Sequence, residues 1–134
     1  MAKDKHITVI KGRFPALNDF LKAVNANRFA GSSMKKEQTE FARLHFLRHK
    51  KFQVPVHIDI QWYELNNKRD SDNIVFAKKW LFDGMVNAKV MPDDSRKWVK
   101  GWSEAVHTDK KNPRIVVTVT EWKDYEKEKE PRTL

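Results

Sequence analysis

Residues 54–62 place an apolar side chain at every second position, and this alternation constrains the fold more than any other feature of the chain. Successive side chains of a β-strand point to opposite faces, so a period of two predicts a strand with one buried and one polar face. The apolar positions are Val54, Val56, Ile58, Ile60 and Trp62, and the polar positions facing away from them are His57, Asp59 and Gln61. The chain is therefore expected to build a sheet that other elements cover on one side.

Other patterns predict the elements around this strand. Strands are predicted at residues 6–11, 97–106 and 114–122, and helices at 17–24, 34–50 and 73–89, with a polar break at 25–33. The order of elements predicts an α+β fold (mixed α/β), in which two or three helices pack on a mixed sheet. The predicted domain spans residues 1–122, and residues 123–134 are expected to form a charged, frayed tail.

The third predicted helix carries an apolar stripe that is expected to face the sheet. Its members are Ile74, Ala77, Leu81, Met85 and Ala88. Phe76 and Trp80 fall off this stripe, which predicts contact with a partner subunit or with a base; the partner subunit is favoured. The five tryptophans fit strand and helix patterns, and we expect them to pack in the core.

The composition favours a polyanionic partner. The 134 residues include 27 Lys and Arg against 18 Asp and Glu, a formal charge of +9, and a basic balance of this kind is typical of nucleic-acid binding. The absence of cysteine excludes disulfides and thiolate metal sites. No apolar run is long enough to span a bilayer, so we expect a cytoplasmic protein without a membrane partner. The histidine spacing disfavours zinc, and the lack of a glycine-rich phosphate loop disfavours a nucleotide cofactor.

Two pairs of aspartates stand out against this basic background, Asp70 with Asp72 and Asp93 with Asp94. Carboxylates held close together repel, so a fold that gathers several of them usually needs a cation there. Asp70 and Asp72 flank one residue and can face one ion in an extended segment. The helix that follows is about 24 Å long, so spacing alone does not bring Asp94 back to Asp72. The alternative is structural: Asp72 caps the helix, and the second pair forms a solvated turn.

Three short sequence motifs follow one another in the chain: NKRDSDNI at residues 67–74, FDGM at 82–85 and VMPDDS at 90–95. In this respect the chain resembles the RusA family of Holliday junction resolvases. That family's pattern is a basic D-x-D-N turn, a helix with a lysine and an (F/L)-D-(G/A)-L turn, then a hydrophobic residue before D-D. The resemblance is closest over residues 68–96. It implies a homodimeric α/β domain that hydrolyses four-way DNA junctions in recombination or repair, with Mg²⁺ as cofactor and Mn²⁺ as its substitute.

The resemblance also implies roles for individual residues. Asp70, Asp72 and Asp94 would be the metal ligands and, together with one lysine, the catalytic residues. Asp93 would be a neighbour of the site rather than a ligand.

The resemblance identifies the catalytic lysine less directly than the aspartates. The best-known members carry it four positions after the second aspartate, where this chain has Phe76. Counting back from Asp83 in the FDGM run gives Lys79 instead. Lys79 shares the helical azimuth of Asp72, about 10 Å away along the axis. Lys78 stays open as the alternative, although it falls within the apolar stripe.

Cations flank both pairs of aspartates. Four-way junctions are recognised mainly through shape and phosphate contact, so these cations are expected to contact DNA. The predicted DNA-binding residues are Lys68, Arg69, Arg96 and Lys97. The basic run at 48–51, with Lys35 and Lys36, is expected to extend the same surface. Two other interpretations stay open: a non-catalytic basic DNA-binding accessory protein, and a nuclease for another branched DNA such as a flap or fork.

Overall fold

The computed structural model describes residues 5–129, in which four strands form one sheet covered by helices. In chain order the elements are β1 (Lys5–Lys11), α1 (Leu17–Ala26), α2 (Arg28–His45), β2 (Val56–Glu64), α3 (Ser71–Val75), α4 (Lys78–Asn87), β3 (Val99–Thr108), β4 (Arg114–Glu121) and α5 (Trp122–Lys129). The strand order across the sheet is β1-β4-β2-β3. β4 pairs antiparallel with β1 and β2, whereas β3 pairs parallel with β2. Parallel neighbours need a crossover, which α3 and α4 supply here. The predicted α+β fold with a mixed sheet is confirmed.

The strand that the alternation predicts is the centre of the core. Val56, Ile58 and Ile60 are fully buried, and Trp62 is 1% exposed. Their neighbours on β4 are Ile115, Val117 and Val119, which are also buried. The side chains between them on β2 point to the other face of the sheet, as predicted. Within residues 5–129, β3 lies at one edge of the sheet, next to β2, and β1 lies at the other.

The third predicted helix is divided into α3 and α4. Around the break, backbone N–H groups bond to carbonyls three residues back, from Ala77 to Ile74 and from Trp80 to Ala77, which is the tighter pattern of a 3₁₀ turn. The apolar stripe is nevertheless buried as predicted. A partner-subunit contact for Trp80 is wrong, because Trp80 is 2% exposed within its own core. The ring of Phe20 on α1 lies 5.4 Å from that of Phe76 and 6.0 Å from that of Trp80.

The polar break predicted at residues 25–33 is mostly helical. The side-chain oxygen of Asn27 accepts hydrogen bonds from the backbone N–H groups of Phe29 and Ala30, both at 2.9 Å, and so starts α2 at Arg28. Asparagine is a favoured residue at this position. Gly31 is inside the helix, where a Cβ would lie 2.6 Å from Cγ2 of Val24 on α1. This glycine therefore serves close packing of two helices rather than a loop.

The C-terminal segment is helical up to Lys129 rather than frayed. The ring of Tyr125 on α5 stacks on that of His57 with centroids 3.6 Å apart. This contact holds α5 against the face of the sheet opposite the other helices. Residues 130–134 of the predicted tail lie outside the described residues. Within residues 5–129, no helix has the length and apolar character needed to cross a bilayer.

Candidate functional site

The first pair of aspartates lies where the chain leaves β2 and enters α3. Asp70 takes the N-cap position, and its carbonyl accepts from the N–H groups of Asn73 and Ile74 at 3.1 and 3.2 Å. The expectation that Asp72 is the cap is therefore wrong, because Asp72 lies in the first turn. Oδ1 of Asp72 accepts from the N–H of Asn73 at 2.9 Å. Both carboxylates are exposed and are available to a ligand that approaches the N-terminus of α3.

The second pair of aspartates follows α4, and Asp94 turns back to contact that helix. Nζ of Lys79 lies 3.2 Å from Oδ2 of Asp94 and 3.0 Å from Oδ1 of Asp83. The hydrogen bond to Asp83, helped by Asp94, raises the pKa of Lys79 despite partial burial. Lys79 is therefore a charged group shared by two carboxylates, and its side chain is still 61% exposed. The structure thus joins two residues that the sequence assigned to one site.

Lys78, the alternative lysine, is engaged elsewhere. Its Nζ donates to Oε2 of Glu104 on β3 at 2.5 Å. Oε1 of the same carboxylate accepts from the indole N–H of Trp62 at 3.0 Å. Lys78 therefore anchors α4 to the sheet, and Lys79 is the lysine beside Asp94.

Asp93 has the role of a turn residue. Its Oδ1 accepts from the backbone N–H of Ser95 at 2.7 Å. Hydrogen bonds from Ser95 lower the pKa of Asp93, with a smaller contribution from the charge of Lys97. Asp93 therefore stabilises the turn after α4, and its place as a neighbour of the site stays a prediction.

The three predicted metal ligands do not form a preformed metal-binding site within residues 5–129. Across residues 5–129, no three histidine, aspartate or glutamate side chains lie together as a group that could hold a metal ion. The assignment of Asp70, Asp72 and Asp94 as metal ligands stays a prediction. Mg²⁺ commonly takes only one or two protein carboxylates and completes its octahedron with water and substrate phosphates. Exposed carboxylates at the start of α3, and a partly exposed one at Asp94, fit that kind of site.

A groove between α2 and α4 borders the Lys79–Asp94 contact. It has a volume of about 760 Å³ and is lined on the α2 side by Lys35 and Lys36 and on the other side by Asp83 and Asp94. The two helices approach closely at Gly84, where a Cβ would lie 2.6 Å from Cβ of Ala42. Lys35 and Lys36 therefore lie beside the acidic residues, and their contribution to a DNA-binding surface stays a prediction.

Sequence reasoning missed the role of Asp83 in this group. The resemblance supplied Asp83 only as part of a motif, without a partner. The available signal was its spacing, because a lysine and an acid four residues apart on a helix lie within ion-pairing reach.

The predicted DNA-binding cations differ in how far their side chains are exposed to solvent. Lys68, Arg96 and Lys97 are exposed. Arg96 and Lys97, with Lys100, line an open depression of about 510 Å³. Arg69 instead donates to the carbonyl of Phe14 at 3.0 Å and pairs with Asp19 at 3.3 Å and Glu64 at 3.6 Å. As placed, Arg69 ties the loop after β2 to the chain before α1.

His49 does not belong to the basic surface expected at residues 48–51. It is 4% exposed, and its Nδ1 lies 2.5 Å from Oγ1 of Thr8 and 3.1 Å from Nδ1 of His6. Burial, together with the charge of His6, lowers the pKa of His49 to about 4. The neutral ring is therefore part of the interior, and His49 is not a phosphate contact.

Comparisons with known proteins name no family for this chain. No protein-family model matches the sequence, and no curated protein matches it significantly.

Proposed function

We propose that this protein is a metal-dependent endonuclease of the RusA type, which hydrolyses phosphodiester bonds at four-way DNA junctions. The observation that carries the proposal is the contact between Lys79 and Asp94, 15 positions apart in the chain. The sequence resemblance assigns both residues to one catalytic site. Their proximity supports the assignment because spacing along the helix alone did not require it.

The charges of the surrounding residues also support this proposal. Lys35 and Lys36 line the groove beside Asp94, and Arg96 lies two residues after it. Cations around a small acidic group suit a polyanionic substrate whose phosphate must approach a metal-binding carboxylate. A homodimer acting on a two-fold symmetric junction belongs to the same proposal.

In this proposal Asp70, Asp72 and Asp94 would hold one or two cations, which keep several waters. A bound Mg²⁺ would supply Lewis-acid polarisation of the scissile phosphate. The ammonium group of Lys79 would offset the charge that develops on the phosphate oxygens. Lys68, Arg96 and Lys97 contact phosphates farther along the DNA arms.

The test is cleavage of a synthetic four-way junction and a linear duplex, with and without Mg²⁺. We expect paired nicks at the junction that depend on Mg²⁺. The variants D72N, D94N and K79M should bind the junction but cut at least about 100-fold more slowly. Lys22 is exposed on α1, away from the groove, and K22M is the matched control. Cleavage by K79M at the rate of K22M would contradict the proposal.

A second candidate is a non-catalytic basic DNA-binding protein, and the absence of a three-carboxylate group among residues 5–129 favours it. Thermal unfolding separates the two candidates, because a ligand that binds only the native state raises the melting temperature. The nuclease proposal expects Mg²⁺ or Mn²⁺ to raise it and D70A to abolish the increase. If the protein is instead a non-catalytic accessory protein, the metal ions should leave the melting temperatures of wild type and D70A unchanged.

A further inference from the structure

Trp102 differs from the tryptophans that pack in the core. It is 52% exposed, whereas Trp62 is 1% and Trp80 is 2% exposed. It lies on β3, one of the two edge strands of the described sheet. The expectation that the tryptophans pack in the core is therefore wrong for Trp102. A large apolar ring left half in water has an energetic cost unless a ligand covers it.

The exposed ring is held in place from two sides. The ring of Phe82 on α4 meets it edge to face, with centroids 6.4 Å apart and planes at 81°. Nζ of Lys78 lies 4.9 Å from the centre of the Trp102 ring. Lys78 is fixed in turn by its ion pair with Glu104. Such support reduces the conformational entropy that the ring would lose on binding a ligand.

The position of Trp102 connects it to the proposed site. Lys78, which contacts the ring, is adjacent in sequence to Lys79, which contacts Asp94. Lys100 lies two residues before Trp102 on β3 and shares the cationic depression formed with Arg96 and Lys97. An aromatic platform among cations is the arrangement by which proteins bind unpaired nucleotides, since bases stack on the ring while cations hold the backbone.

We propose that Trp102 stacks on an unpaired base of branched DNA, while the exposed Lys100 contacts the adjoining phosphate. This inference rests on the proposed function, because it places the branch point of the substrate beside the Lys79–Asp94 contact. It adds a specificity determinant: the ring distinguishes DNA with unstacked bases from continuous duplex, whose bases are already stacked.

The test measures the affinity of the full chain for a four-way junction, a single strand and a linear duplex, in EDTA so that no cleavage occurs. Trp102→Leu removes the ring, Trp102→Phe keeps an aromatic face, and Tyr63→Leu is the matched control. Tyr63 also has a cation over its ring, Arg114 at 3.8 Å. The Tyr63 side chain lies on the opposite face of the sheet from Trp102, because Trp62, its neighbour on β2, points into the core.

The expected result is a loss of about tenfold in junction and single-strand affinity for W102L, which is within the range of base–aromatic stacking effects. W102F should recover most of this loss, Y63L should match the wild type, and duplex affinity should be equal in all four proteins. A junction that carries 2-aminopurine at the branch should lose fluorescence on binding wild type and W102F, but not on binding W102L.

Three outcomes would overturn the inference. The first is junction affinity of W102L equal to that of wild type. The second is an equal loss of affinity for duplex, which would mean that the ring does not contact unpaired bases. The third is a wild-type dimer in sedimentation that W102L dissociates, which would assign the ring to a second copy of the chain. If wild type fails to cut the junction while W102L alone loses affinity for it, the nuclease proposal fails and this inference stands.

Discussion

His49 allows a prediction in which the size of the effect follows from its surroundings. The side chain is 4% exposed and its Nε2 atom is buried without a hydrogen-bond partner within residues 5–129. A proton on this ring would place an unpaired charge in the interior close to His6. The pKa of His49 is accordingly lowered from 6.5 to about 4 in the folded protein. The fold therefore favours the neutral ring.

The consequence for stability has a definite sign. At pH values between the pKa of His49 in the folded protein and that in the unfolded chain, the unfolded chain binds a proton that the native state does not. The free energy of unfolding therefore falls as the pH falls. The stabilisation is complete above the unfolded pKa and is lost as the pH falls towards the folded pKa. A difference of 2.5 between the two pKa values corresponds to about 3 kcal/mol, at 1.36 kcal/mol per unit.

His49→Gln is the perturbation that tests this reasoning. Urea unfolding, followed by tryptophan fluorescence, gives the free energy of unfolding at several values between about pH 7 and about pH 4. Over this range wild type should lose about 3 kcal/mol more than H49Q, whatever the stability of H49Q at neutral pH. Replacement of the exposed His107 by Gln controls for the removal of a histidine. Parallel pH profiles for wild type and H49Q would refute the assignment.

Three further predictions concern helix packing and the site. Gly84→Ala should lower the free energy of unfolding, measured by urea unfolding, by about 1–3 kcal/mol. The reason is that the added Cβ would lie 2.8 Å from the backbone N of Arg43. An unchanged free energy of unfolding would contradict the close approach of α2 and α4. Glu104→Gln should cost about 2 kcal/mol in the same assay, since it removes the charge that holds Lys78. Lys36→Ala should reduce the salt dependence of junction binding by about one unit of log–log slope in fluorescence anisotropy. An equal slope for Lys36→Ala and wild type would remove Lys36 from the DNA surface.

Much of the fold could be predicted because its main signals are local. The alternation in β2 is set by side chains two residues apart, and the stripe of α4 by side chains three and four apart. The errors arose where distant residues decide the structure. Gly31 signals a break in isolation but accommodates Val24 from the neighbouring helix. α5 has no apolar stripe of its own to predict it, and its anchor is a ring stack with His57, far away in the sequence.

The same distinction applies to the candidate site. The sequence could place Lys79 and Asp94 in one motif, but only tertiary packing brings the two side chains into contact. The sequence could not show that Arg69 and His49 differ from the exposed cations next to them, since composition does not report burial. Arg69 is held by Phe14 and Asp19, and His49 lies inside the domain.

The sharing of Lys79 gives its two acidic partners different roles in the proposed nuclease. Two carboxylates near each other repel, and the ammonium group between Asp83 and Asp94 relieves that repulsion. A divalent cation held by Asp94 would share that carboxylate with Lys79. Asp83 is one helical turn from Lys79 and would favour its charged form even with Asp94 bound to a metal. In the proposed nuclease, Asp94 would therefore be shared between Lys79 and a metal ion, and Lys79 would supply positive charge near the phosphate.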